Sequence, residues 1–489
     1  MLAVDQSTSA TKALLFDLEG NLLDKTSLEH QQFYPQPGWV EHDADSIYQN
    51  TLQVIRNLIE QNPQTRDELL SISITNQRET FVIFDKETGV PLHRAIVWQC
   101  RRGEPICQRL IVEGYANRVS QITGLPIDTY FPASKLMWLL DERTDLKDRL
   151  QAGTALIGTI ETYLIYRLTN GAVYASDHTN ASRTLLYDIQ TLAWSEELCD
   201  LFEIPYQSLP EIRESMEVFG ETDCVGLLNK PIPICGVMGD SQAALFAQHC
   251  FSVGGAKVTF GTGSSVLLNV GDKPVRSDNG IVTTVGWVYA GKPTYAFEGI
   301  INFTGATIAW MRDQAQLIET AQETATLAES VADNGGVYLV PAFVGLSAPY
   351  WKPDAKGAIV GLTPSSTKAH LVRAALESIA YQVRDVLTLM AEDANLSLQY
   401  IHADGGAIAN RFLMQFTADM LGFDVRASQL PELSALGSVF SGMLGMQVIA
   451  SLQELETLPQ RFNHYSPQMP QEKVNQYYIA WQSAVQRVL

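Results

Sequence analysis

The sequence predicts an α/β fold of two large domains, and three observations lead there. Strand-like and helix-like runs alternate along the whole chain, the pattern of sheets covered by helices. The length of 489 residues exceeds what one hydrophobic core usually serves. One local pattern also occurs twice, in residues 2–17 and 256–269. Each copy reads as an aliphatic strand, a tight turn of Gly, Ser and Thr, and a second aliphatic strand. Glycine and small hydroxyl residues at such a turn let backbone N–H groups approach an anion, and the hydroxyls add donors. Either copy alone is equally an ordinary hairpin. The pair, with an acid at Asp5, implies a duplicated fold gripping a polyphosphate from two sides.

Taken in order, residues 44–60 have a helical period, with Asp43 or Asp45 available as a cap. Residues 69–75, 81–85 and 94–98 read as strands, and 136–140 and 162–168 as buried helix segments. Residues 232–237 form a strand, 238–241 a turn and 243–249 an Ala-rich helix. The second hairpin follows at once, which puts the domain boundary between 1–249 and 250–489. No low-complexity linker marks it, so the domains are expected to hinge over a tight cleft. Further on, 335–341 and 357–362 are strands, and 370–393 is a long helix capped near Thr367. Residues 400–403 form a strand ending in Asp404-Gly405-Gly406-Ala407, before a helix over 410–421. Strand, Gly-Gly turn and helix start present free N–H groups to an anion or nucleotide, although Gly-Gly-Ala alone is most often just a turn.

A formal charge of −20 and a pI near 4.8 argue against nucleic acid or an anionic membrane as partner. They leave a nucleotide open, because backbone amides and Mg²⁺ can carry phosphate charge. The six cysteines include no C-x-x-C pair, which suits reduced thiols in a cytoplasmic protein. No basic stretch followed by an apolar one opens the chain, and no long uncharged apolar run occurs in it. Neither a secretory signal nor a membrane span is therefore expected.

Several residues suit phosphoryl chemistry. Asp240, at a strand-to-helix turn beside Gly239 and Ser241, can take a proton from an attacking hydroxyl or simply cap the helix. Asp5 can help hold a hydrated Mg²⁺ or cap its own turn. Arg78 and Glu79, side by side at a strand end, can grip neighbouring hydroxyls as donor and acceptor or form a surface ion pair. Trp98, Tyr130 and Phe131 stand at a strand end and in a loop, where aromatics often line small-molecule pockets.

The chain resembles the FGGY carbohydrate kinases, and within them most closely the glycerol kinases. One family signature is matched by Tyr130-Phe131-Pro132-Ala133-Ser134-Lys135-Leu136-Met137-Trp138, another by Gly357-Ala358-Ile359-Val360-Gly361-Leu362 with Ala374-Ala375-Leu376-Glu377 after it. Pro37-Gly38-Trp39-Val40-Glu41-His42-Asp43 and Asn180-Ala181-Ser182-Arg183-Thr184 add to these. The resemblance covers nearly the whole chain. It implies a two-domain actin/hexokinase-like (ribonuclease H-like) ATPase fold closing on MgATP, and phosphoryl transfer to the terminal hydroxyl of a polyol. It implies Asp240 as catalytic base, with Asp5 and Asp240 on the Mg²⁺ side. Thr8, Ser9, Ala10 and Lys12 fall on the first phosphate loop, with Lys12 where many members carry Arg. Thr262 falls on the second. Gly305, Ala309, Gly406 and Asn410 fall at nucleotide contacts, and Arg78, Glu79, Trp98 and Tyr130 in the polyol pocket. A homodimer or homotetramer is implied as well.

The departures concern substrate size. Where the family usually carries Gln after the base this chain has Ser241, and where many members carry Phe it has Ser265. A nucleotide-side Gln is replaced by Ala309. The pocket is expected to be roomier and more polar, with Trp287 a candidate to refill the space. Glycerol is thus the default substrate, with a tetritol or small sugar as alternative and a non-catalytic sensor as a third reading. Residues 222–231 lack the Gly-Gly-Thr-Arg loop through which some glycerol kinases bind fructose 1,6-bisphosphate. No histidine lies between His178 and His249 for regulatory phosphorylation. Insensitivity to both controls is expected.

Overall fold

The computed structural model describes residues 1–489 apart from Ser347 and Pro353. Two mixed sheets dominate it. The first runs, across its six strands, Val218–Thr222, Ile232–Gly239, Ile72–Asn76, Leu2–Gln6, Ala10–Phe16 and Leu22–Glu29. The second runs Val282–Tyr289, Lys292–Ile301, Ser264–Gly271, Ala256–Phe260, Tyr400–Asp404, Asp424–Ser428 and Phe462–Tyr465. The duplication is visible in the pairing. Leu2–Gln6 pairs antiparallel with Ala10–Phe16 and parallel with Ile72–Asn76. Ala256–Phe260 does the same with Ser264–Gly271 and Tyr400–Asp404.

Parallel central strands buried on both faces need continuous apolar runs, and Leu2–Gln6 and Ile72–Asn76 are buried at every position. A smaller five-stranded sheet, from Gln32–Phe33 to Ala155–Thr159, sits beside the first and carries Phe81–Asp85 and Ala95–Ile96. Helix Ala44–Gln61 starts at Asp43, whose carboxylate accepts from the Asp45 and Ser46 N–H groups. That settles the choice between the two caps. Helix Lys368–Ala394 opens with a capping box of Thr367 and His370. The strands at 69–75 and 94–98 are shorter than expected, at Ile72–Asn76 and Ala95–Ile96.

One element crosses between the halves of the chain. Helix Leu433–Gly445 lies against helix Asp240–Ala247 and strands Ile232–Gly239 and Ile72–Asn76 of the first sheet. Its Leu436, Val439, Phe440 and Met443 share a core with Met1, Ala3, Leu14 and Phe16. Gly437 makes the approach possible, since a Cβ there would lie 1.8 Å from the Ala243 carbonyl oxygen.

Candidate active site

Three adjacent parallel strands end together at one edge of the first sheet. The register aligns Gln6, Asn76 and Gly239, so Asp5, Arg78 and Asp240 all emerge at the carboxyl ends, where open α/β sheets bind ligands. The facing wall comes from the second sheet. Together they enclose a cleft of 580 Å³ lined by Asp5, Lys12, Asp240, Ser241, Lys257, Ser265, Asp404 and Glu432, among others. The expectation that both hairpins open onto one cleft is met at Asp5 and Lys12 on one side and Thr259 and Ser265 on the other.

Asp240 is the first residue of helix Asp240–Ala247, with Gly239 as the cap. Its carboxylate accepts the Ser241 N–H at 2.7 Å, and its side chain stays 41% exposed in an otherwise buried neighbourhood. Gly239 is required there, because a Cβ would stand 2.7 Å from Arg78 Cδ. Arg78 is buried. Its Nη1 and Nη2 donate to the two oxygens of Glu298 at 3.2 and 2.7 Å, and Nη1 also to Gln242 at 3.0 Å. Only its Nε–H is buried without a hydrogen bond, lying 3.3 Å from Asp240 Oδ1. The surface ion pair weighed for Arg78 and Glu79 is thereby excluded. Both side chains are interior, and Glu79 accepts from Arg183 Nε at 2.6 Å.

Glu298 and Arg183 complete this buried cluster, Arg183 Nη1 lying 2.8 Å from Glu298 Oε2. Burial opposes the Glu298 charge, yet Arg183 and Arg78 together hold its carboxyl down at about 2. Neither residue was singled out for a role in the sequence. The available signal was Glu298 itself, a lone carboxylate inside the apolar run Tyr295–Ile301, since a buried charge requires a partner.

The aromatic wall is fixed from behind. Trp98 and Tyr130 rings lie 5.3 Å apart. Lys135, fully buried, donates to the carbonyls of Val97, Trp98 and Tyr130 at 3.3, 3.3 and 3.2 Å. Burial lowers its ammonium to about 8. The Trp98 indole N–H donates to Thr8 Oγ1 at 3.0 Å, tying the expected polyol wall to the first phosphate turn. Ser9 is exposed and Ala10 buried in that turn.

Ser265 Oγ is buried and has no hydrogen-bond partner. Trp287 does not refill the space beside it. It is packed among Phe246 and Phe251 in the core behind the helix that begins at Asp240.

On the other wall, Thr262 is exposed at its turn. Its carbonyl accepts from Thr304 and Ala306, and Gly305 N–H donates to the Gly261 carbonyl. The second turn is thus tied to the start of helix Gly305–Asp313, which carries Ala309. Asn410 caps helix Arg411–Leu421 and donates to Thr324 Oγ1 at 3.0 Å. Of the two glycines, Gly405 is forced by a close approach, a Cβ there meeting the Phe260 carbonyl oxygen at 2.5 Å; a Cβ on Gly406 would meet open space.

Two halves built on one duplicated hairpin-and-strand pattern, with carboxylates and small hydroxyl turns facing a shared cleft, define a phosphotransferase of the sugar-kinase class. The chain belongs to the FGGY family of carbohydrate kinases, matching its N-terminal domain over residues 1–247 and its C-terminal domain over 256–446. It is 46% identical over its full length to glycerol kinase 1 of Thermotoga maritima, covering 99% of that protein. It is 45% identical, again end to end, to a glycerol kinase of Desulfitobacterium hafniense. Its fold is similar to that of Plasmodium falciparum glycerol kinase with ADP, at a TM-score of 0.95 and 36% identity over 100% of this chain and 98% of that one. Among the described residues no helix is long and apolar enough to cross a membrane.

Proposed function

We propose that the protein transfers the γ-phosphoryl group of ATP to the terminal hydroxyl of glycerol, with Asp240 as general base. The carrying observation is the Asp240 carboxylate, open to the cleft and 3.3 Å from Arg78 Nε, which makes no hydrogen bond. The acceptor oxygen is held by that Nε–H and by Glu79 while Asp240 removes its proton. Trp98 and Tyr130 enclose the carbon chain. Thr8, Ser9, Ala10 and Lys12 on one side and Thr262 on the other receive the phosphates, with Gly305, Ala309, Gly406 and Asn410 towards the nucleoside. The glycerol kinase names of the full-length relatives supply the substrate.

Among the described residues no cluster of three or more metal-binding side chains occurs. Mg²⁺ does not require one, since it is commonly held by one or two carboxylates and the phosphates themselves. Asp5 and Asp240 fit that donor set, and burial pushes Asp5 up to about 6, so a cation beside it relieves an unfavourable charge. When bound, the ion neutralises phosphate charge as it is redistributed.

A second reading, a longer polyol such as a tetritol, is supported by Ser265 Oγ, which is buried without a partner beside the cleft. A further substrate hydroxyl would satisfy it. ATP turnover with glycerol, erythritol and threitol separates the two. Glycerol is expected to give the highest kcat/KM, and Asp240→Asn to lower kcat by about 10²–10⁴. A tetritol ahead of glycerol selects the second reading, and no turnover with any polyol removes both. Division near residue 250, a homodimer or homotetramer, and a cytoplasmic setting, which the six unpaired buried cysteines suit, belong to the same proposal.

A further inference from the structure

The first phosphate hairpin is held by a residue from the far end of the sequence. Lys12 Nζ donates to Glu432 Oε2 at 2.7 Å, while Asp5 Oδ2 is farther off at 3.3 Å. The other Glu432 oxygen accepts from Lys25 at 3.0 Å, so each oxygen holds one ammonium. Glu432 lines the cleft together with Lys12 and Asp5. Its backbone has φ 55° and ψ 48°, left-handed in a residue with a side chain, a conformation kept only where the surroundings over-determine it. The surroundings are those of the crossing helix, since Glu432 directly precedes Leu433–Gly445, which is packed into the first sheet's core. The anchor is therefore rigid.

We propose that Glu432 is a positioning residue for the nucleotide: it shares the Lys12 ammonium with Asp5, bonding it at 2.7 Å against 3.3 Å to Asp5, and so keeps it placed in the cleft for the phosphates. A lysine head on a four-carbon stem is a mobile point charge. Without Glu432 the remaining anion is Asp5, and the existing 3.3 Å pair would tighten and withdraw both groups from the ligand. The inference rests on the nucleotide reading of the cleft.

The test is Glu432→Gly, with Glu432→Gln beside it. Glycine removes the carboxylate and also relieves the left-handed backbone, so Tm is expected to stay level or rise. The glutamine variant keeps the side chain's size and loses its charge. ADP affinity, measured by calorimetry without polyol, is expected to fall about tenfold in both variants, the size of one charge-assisted contact. KM for ATP should rise by a similar factor while KM for the polyol stays within about twofold. ADP affinity unchanged in either variant overturns the proposal. So does a polyol KM that rises with the ATP KM, since that marks general damage. If the wild-type protein binds no ADP, the nucleotide reading itself fails and takes this inference with it.

Discussion

At the residue scale, the site depends on a buried cluster of charges behind Asp240. Glu298 spends both oxygens on Arg78 and Arg183, which leaves the Arg78 Nε–H turned to Asp240. Glu298→Gln is expected to cost about 3 kcal/mol, because it leaves one buried arginine charge uncompensated. The pH dependence follows from the depressed Glu298 carboxyl, about 2 against an ordinary 4.5. A depressed carboxylate stabilises fully above its unfolded value and loses that contribution as pH falls through the folded one. The gap between wild type and Glu298→Gln should thus be widest above pH 4.5 and close towards pH 2, as read by urea midpoints across that range. Substrate choice turns on two smaller side chains. Ser241→Gln with Ser265→Phe should move the glycerol-to-erythritol ratio of kcat/KM towards glycerol by about tenfold or more. An unchanged ratio would show that these positions do not set substrate length.

At the scale of elements, two helices meet backbone to backbone. Gly437→Ala places a methyl group 1.8 Å from the Ala243 carbonyl oxygen, on the helix that begins at Asp240. A loss of at least about 3 kcal/mol is expected, with kcat falling in the folded fraction. Chemical denaturation and specific activity per folded molecule check the two parts. Much at this scale was legible in the sequence. The hairpins, the capped helices and the strand into Asp240 are local patterns of period and turn chemistry, and they stand where periodicity puts them. The helix Leu433–Gly445 has no such signal for its partner, because apolar periodicity tells that a face is buried and not against what. For the same reason Glu298, Arg183 and Glu432 escaped notice as site residues: each acts through a group hundreds of residues away or on another sheet. Trp287 could not be placed from sequence for a related reason, since an unexpected aromatic fills a core as readily as a pocket.

At the scale of the whole molecule, the halves of the chain are not the halves of the structure. A core shared by Met1, Phe16, Phe246, Trp287 and Phe440 means that residues 1–249 alone leave the first sheet uncovered where the crossing helix belongs. That fragment is expected to bind the dye ANS and to unfold at a lower urea midpoint than the full chain; a fragment as stable as the full chain would contradict the shared core. The crossing helix also sets a timetable. Domains ordinarily fold as they leave the ribosome, the N-terminal one first, but here the residues that close the first sheet are made about 190 positions after its last strand. At about 5–20 residues per second, the nascent first half waits on the order of 10–40 s with an apolar face open to the cell. Slowing translation between those two points should lower the yield of soluble protein more than slowing it anywhere after residue 445.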